Sequence, residues 1–171
     1  MAARNITPIP DMATSAKAFA VDLEKVLDGD TLERRGWAKP DDHTLLVPLF
    51  GFRAGRADFY LLKLRFTCYP EWPPSAQFVN PLTQEYSSAT DKLWVPNIQA
   101  DSEFAVHPEY AFGQSSIQLI CSSVTLEFYQ VHHSVEDQHL WNAERQNFHA
   151  TISAIRRAMK NLYMGPIEVR P

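Results

Sequence analysis

Residues 59–66 place Tyr60, Leu62, Leu64 and Phe66 at alternate positions, with Lys63 and Arg65 between them, and the run leads into Tyr69, Pro70, Glu71, Trp72, Pro73 and Pro74. Period-two alternation puts the four apolar side chains on one side of an extended chain, which predicts a strand buried on one face only. The three prolines remove three backbone donors and fix φ, so neither a helix nor a central strand continues through them. The strand must therefore end in a rigid extended connection, after which residues 75–79 predict a second, short strand.

The flanking segments arrange around this pair. Two prolines and no periodicity make residues 1–10 a loose arm, and Asp11 or Thr14 is placed to cap a helix over roughly residues 12–27. Phe19, Leu23, Val26 and Leu27 share one face of that helix. Asp28, Gly29 and Asp30 end it, residues 36–42 read as a turn, residues 44–47 as a first strand and residues 51–55 as a hairpin connection. Residues 80–116 read as a long, polar, irregular insertion apart from Leu93, Trp94 and Val95. Such segments are more often functional than idle, so this one is expected to flank an active region.

Residues 117–131 return to strand-like composition. From His139 the period changes: Trp141, Phe148, Ile152, Ile155, Met159 and Leu162 recur at helical spacing, which predicts a long amphipathic C-terminal helix. Glu136, Asp137 and Glu144 near its start and Arg156, Arg157 and Lys160 near its end suit the helix dipole, and Gly165 with Pro166 stops it. The order is a helix, an antiparallel meander of about four strands and a helix. This is an α+β arrangement, one domain over residues 1–171, with helices on one face of the sheet.

A net charge of −4 and the lack of any Lys/Arg run longer than a pair argue against nucleic acid as a partner. The longest apolar stretches are too short to span a bilayer and no secretory leader is evident, so a cytoplasmic protein without a membrane partner is expected. In that compartment Cys68 and Cys121 are expected as free thiols.

The block Tyr69, Pro70, x, x, Pro73, Pro74, x, x, x, Phe78, together with Leu64-Arg65-Phe66 before it and Pro96-Asn97-Ile98 followed by a cysteine, resembles the ubiquitin-conjugating (UBC-like) superfamily over roughly residues 15–165. The resemblance implies a UBC-like fold and a transferase that carries a ubiquitin-like modifier as a cysteine thioester and passes it to an amine. Its implied partners are the modifier, an activating enzyme and a protein or amine acceptor, and it implies no metal or small cofactor. By similarity Cys121 is the nucleophile and Asn97 orients the site or stabilises the oxyanion. A thiol suits this work because it is the strongest nucleophile available near neutral pH, and a donor aimed at a developing oxyanion contributes about 3–4 kcal/mol. Glu127, Glu136 and Asp137 are candidates for deprotonating the incoming amine.

The chain departs from the family pattern in several places. Val95 stands where the family has a histidine before Pro-Asn, and the stretch from Asn97 to Cys121 is longer than the family's and requires an insertion. The sequence stops soon after the second long helix, which fits a minimal, divergent bacterial-type member. A second register is also open. Ser116-Ile117-Gln118-Leu119 can be laid over the family's Gly-x-Ile-Cys-Leu segment, with His107-Pro108-Glu109 over its His-Pro-Asn. In that register Gln118 occupies the cysteine position, and the chain is an inactive scaffold that binds a ubiquitin-like protein or a partner enzyme.

Two further chemistries compete. His107, His132 or His133 could serve as auxiliary groups beside Cys121, with His132 or His133 as the base of a Cys-His hydrolase. The same histidines with His139 have ligand-type side chains, but their spacing matches no compact zinc signature.

Overall fold

In the computed structural model, which describes residues 7–131 and 140–167, helix α1 (Met12–Leu27) starts where the Asp11 carboxylate accepts the Thr14 backbone N–H at 3.0 Å and the Thr14 hydroxyl at 2.8 Å. This is an N-cap that satisfies an otherwise orphaned donor. The helix ends at Asp28, which takes the left-handed conformation and returns its N–H to the Glu24 carbonyl. Phe19 and Leu23 are buried as the spacing predicts, and Val26 and Leu27 pack at the margin of the core.

A short helix α2 (Leu32–Arg35) precedes a four-stranded antiparallel sheet in the order β1 (Ala38–Asp41), β2 (Thr44–Arg53), β3 (Arg56–Arg65) and β4 (Ser75–Val79). The segment read as a turn over residues 36–42 thus carries β1, and β2 runs well beyond residue 47. Gly51, read as part of the hairpin connection, lies within β2 opposite Asp58, and the turn is made by Ala54 and Gly55, both at positive φ. Two successive left-handed residues match the twist of a two-residue hairpin. Gly51 serves packing instead. A Cβ there would lie 2.5 Å from the Tyr163 ring, so the strand can carry that ring only without a side chain.

Tyr60, Leu62 and Leu64 of β3, with Phe66 just beyond it, are buried against Leu45, Val47 and Leu49 of β2. One apolar cluster joins them to Phe19, Phe78, Ile120, Phe148, Ile152, Ile155 and Tyr163, so α1, the sheet and the C-terminal elements share a single core. The proline block forms the connection between β3 and β4, but it is turned rather than extended, the Trp72 N–H bonding back to the Cys68 carbonyl at 3.0 Å, and its Tyr69 knits the layers together. The Tyr69 hydroxyl donates to Asp22 of α1 at 2.5 Å and accepts the Phe148 N–H at 3.3 Å, while the Ser15 hydroxyl donates to the Tyr69 carbonyl at 2.7 Å.

The segment 80–116 is not structureless. It contains a 3₁₀ turn (Lys92–Trp94), β5 (Pro96–Ile98) and β6 (Ala105–Phe112), which pairs with β7 (Ser115–Cys121). Polarity hid β6, because its side chains are mostly half-exposed. The ladder shifts register between His107 and Tyr110, where Pro108 has no N–H to give. The Pro108 carbonyl accepts the Tyr86 hydroxyl at 2.5 Å instead.

The strand-like composition of residues 117–131 divides into β7 and a short helix α3 (Leu126–Gln130). The C-terminal helix is shorter than its periodicity suggests: α4 covers Phe148–Asn161, capped by Asn147, whose side chain accepts the His149 N–H at 3.0 Å. Trp141 lies outside it, its indole N–H donating to the Pro70 carbonyl at 2.9 Å and its ring beside Tyr69. The apolar period continued through Trp141 because that ring faces the same core from a loop. Glu144 is likewise outside the helix, and Glu136 and Asp137 lie outside the described residues. Gly165 and Pro166 belong not to a helix stop but to β8 (Tyr163–Pro166), which pairs with β5. Tyr163 fixes this change, since its hydroxyl bonds to Tyr60 at 2.8 Å and to Asp58 at 2.6 Å over the space left by Gly51.

Candidate functional site

Cys121 ends β7 opposite Ala105 of β6 and is half-buried, whereas Cys68 is buried. The turn after Cys121 is held firmly. The Thr125 hydroxyl bonds to the Ile120 carbonyl at 2.6 Å and lies 2.9 Å from that of Ser122, the Tyr129 hydroxyl donates to Ser123 at 2.8 Å, and the Thr151 hydroxyl donates to Val124 at 2.7 Å. The thiol is presented on a fixed support, but its electrostatics oppose reactivity. Burial pushes the Cys121 thiol above its ordinary value, and among the described residues no cation offsets that push. A thiol raised by apolar surroundings is a poor nucleophile at neutral pH.

The residues grouped with Cys121 on the sequence are distributed around it. His107 on β6 stands opposite Leu119, a diagonal neighbour of Cys121 on the same face of the ladder, and its ring packs edge-on against Tyr110 at 5.7 Å. Its ring is engaged by Tyr110, and among the described residues no hydrogen bond joins it to the Cys121 thiol. Asn97 is exposed on β5 opposite Gly165, in a different ladder, and among the described residues no hydrogen bond joins it to Cys121. Val95 is fully buried in the core, so the position where the resemblance has a histidine serves packing here. His132, His133 and His139 lie outside the described residues. Among the described residues no group of three or more His, Cys, Asp and Glu side chains is placed to hold a metal ion, and no helix is long and apolar enough to cross a membrane.

Gln118 has a distinct set of partners. It is fully buried on β7, its side-chain oxygen accepts the Phe78 N–H at 2.7 Å, and its side-chain nitrogen donates to the Phe78 carbonyl at 2.9 Å. One primary amide thereby reproduces the pair of bonds that a residue on an adjacent strand would make with β4. Glu127 of α3 continues the same seam one pleat along. Its carboxylate accepts the Ala76 N–H at 3.2 Å and the Ser75 hydroxyl. Burial drives the Glu127 carboxyl up, with the Ser75 and Ala76 bonds working in the opposite sense. Glu127 is therefore committed to β4 and is not free to serve as a base for an incoming amine.

The sequence singles out Gln118 only as the residue in an alternative register, and its structural use was legible in one respect. An uncharged amide within the otherwise apolar run Ile117, Leu119 and Ile120 needs a buried partner. A comparison of the chain with protein-family models, curated proteins and solved structures finds no match in any of the three.

Proposed function

We propose that the protein is a non-catalytic, protein-binding scaffold of the ubiquitin-conjugating type that engages a ubiquitin-like protein or a partner enzyme. The observation that carries this reading is the Gln118 side chain, fully buried and bonded both ways to Phe78. In the register that places Gln118 at the family's cysteine position, the residue that would carry the thioester is instead a strut between β7 and β4. Two further features support the reading. The Cys121 thiol is raised by burial, and neither Asn97 nor His107 bonds to it. The α+β order of an N-terminal helix, a four-stranded antiparallel meander and the proline connection before β4 accords with the resemblance.

The transferase reading draws on one observation, the partial exposure of Cys121 at the end of β7. The two are separated by intact-protein mass spectrometry after incubation with activating enzyme, ATP and a ubiquitin-like modifier, with and without thiol reductant, beside a pull-down on the same immobilised modifier and enzyme. The scaffold reading expects retention on one of the immobilised proteins without a covalent adduct. A reductant-sensitive adduct on the wild type that disappears in Cys121→Ala would overturn it and establish the transferase.

A further inference from the structure

The β2 strand is longer than the strand that covers it. β1 pairs with β2 only at Thr44 and Leu46, so among the described residues 48–53 have a strand partner on the β3 side alone. Among the described residues no backbone hydrogen bond from a loop reaches this stretch. Beside it runs a groove of about 490 Å³ whose wall is formed by Pro48, Leu49, Phe50 and Phe52 of β2 and by Arg156, Met159 and Lys160 of α4. Phe50 and Phe52 are 51% and 72% exposed, and Phe50 packs edge-on against Phe59 at 5.6 Å. Neighbouring exposed aromatics on an open strand edge are costly to leave in water and prone to pairing.

The charge of the groove selects its occupant. Arg157, one residue from Arg156, pairs with Glu103, and Arg35 pairs with Asp30, but among the described residues neither Arg156 nor Lys160 has a carboxylate within ion-pair distance. Arg156 and Arg35 both lie over the Trp37 ring, at 5.9 and 5.2 Å, so the groove end of α4 carries adjacent cations in a chain of net charge −4.

We propose that the groove between the free edge of β2 and α4 docks an extended acidic segment of a protein partner, which adds to β2 as a strand, seats apolar side chains on Phe50 and Phe52 and pairs its carboxylates with Arg156 and Lys160. Strand addition supplies affinity through the main chain and specificity through alternate side chains. This goes beyond the scaffold reading and does not depend on it, because Gln118 and Cys121 lie at the opposite edge of the sheet, beyond β4.

The test is fluorescence anisotropy of the full chain with a fluorescein-labelled octapeptide of alternating leucine and glutamate. It is run beside a lysine-for-glutamate version, a version N-methylated at alternate backbone nitrogens, and phosphatidylserine vesicles. The acidic peptide is expected to bind saturably. Lys160→Glu, Arg156→Glu and Phe52→Ser should each weaken binding roughly tenfold, and N-methylation on the bonding side should abolish it. Lys160 and Phe52 are exposed, so their variants are expected to keep the wild-type melting transition and report on binding alone. Absence of binding by the acidic peptide, equal binding of the lysine peptide, indifference to the charge reversals, survival of binding after N-methylation, or binding of vesicles in place of peptide would each overturn the proposal.

Discussion

At the β4 edge of the sheet, the N–H groups of Ala76 and Phe78 and the carbonyl of Phe78 are taken by side chains, the Glu127 carboxylate and the Gln118 amide, both buried. At the β2 edge, beyond Leu46, β8 packs against the strand through Tyr163 but the described residues supply neither a hydrogen-bonded strand nor a side-chain substitute, and the strand ends in exposed phenylalanines flanked by Arg156 and Lys160. The difference reflects two solutions to the same problem. Every buried backbone group needs a partner, whereas an edge in contact with water can use solvent and remain available. The closed edge is held by buried side chains from β7 and α3, and the open edge keeps the features of a binding surface.

The largest effect is expected where the closed edge is broken. Gln118→Ala leaves the N–H and C=O of Phe78 without partners in a buried seam and should cost about 3 kcal/mol, since each orphaned buried group costs roughly 1–3 kcal/mol. A urea midpoint close to wild type would show that β7 and β4 do not depend on this amide. Gly51→Ala tests the support behind the open edge. The added methyl would meet the Tyr163 ring at 2.5 Å, and overpacking of this kind costs about 1–3 kcal/mol. Retention of wild-type stability, measured by thermal denaturation, would mean that Tyr163 and β8 can move away from β2 at little cost.

Glu127 provides a pH test of the closed edge. Its folded-state carboxyl is raised above the unfolded value by burial, so the folded protein holds this proton more tightly. The resulting stabilisation is fully present below the unfolded value, about 4.3 for a glutamate, and is lost as pH rises through the folded value. Glu127→Gln keeps an acceptor for the Ala76 N–H and adds a donor for Ser75. Relative to wild type, its urea midpoint should therefore improve as pH rises through that window. An unchanging difference between the two proteins from about pH 4 to about pH 8 would show that Glu127 titrates normally. The smallest effect belongs to the hairpin that ends the open edge. Ala54 holds a left-handed φ of 49°, which an asparagine adopts more readily. Ala54→Asn should therefore raise stability by about 0.5–1 kcal/mol, and a lowered melting temperature would contradict this turn.

Much of the architecture was legible from local chemistry. The Asp11 cap, α1, the buried face of β3 and the short strand β4 follow from side-chain periodicity, a capping carboxylate and prolines that cannot continue a ladder. The candidate site was less legible. Cys121 and Asn97 were brought together by motif, yet β7 and β5 place them in separate two-stranded ladders. The significance of Gln118 depended on Phe78, forty residues away in the chain, and no local pattern pairs them.

Where strands alternate, where α1 begins and where the chain cannot be regular are matters of neighbours within a few residues, so the order of amino acids is enough to settle them. That Gly51 makes room for Tyr163, that Trp141 reaches the core from a loop, and that Gln118 and Glu127 close β4 while β2 stays open all emerge only in the folded chain. These outcomes are set by which distant surfaces meet and by the requirement that polar groups buried between them be satisfied.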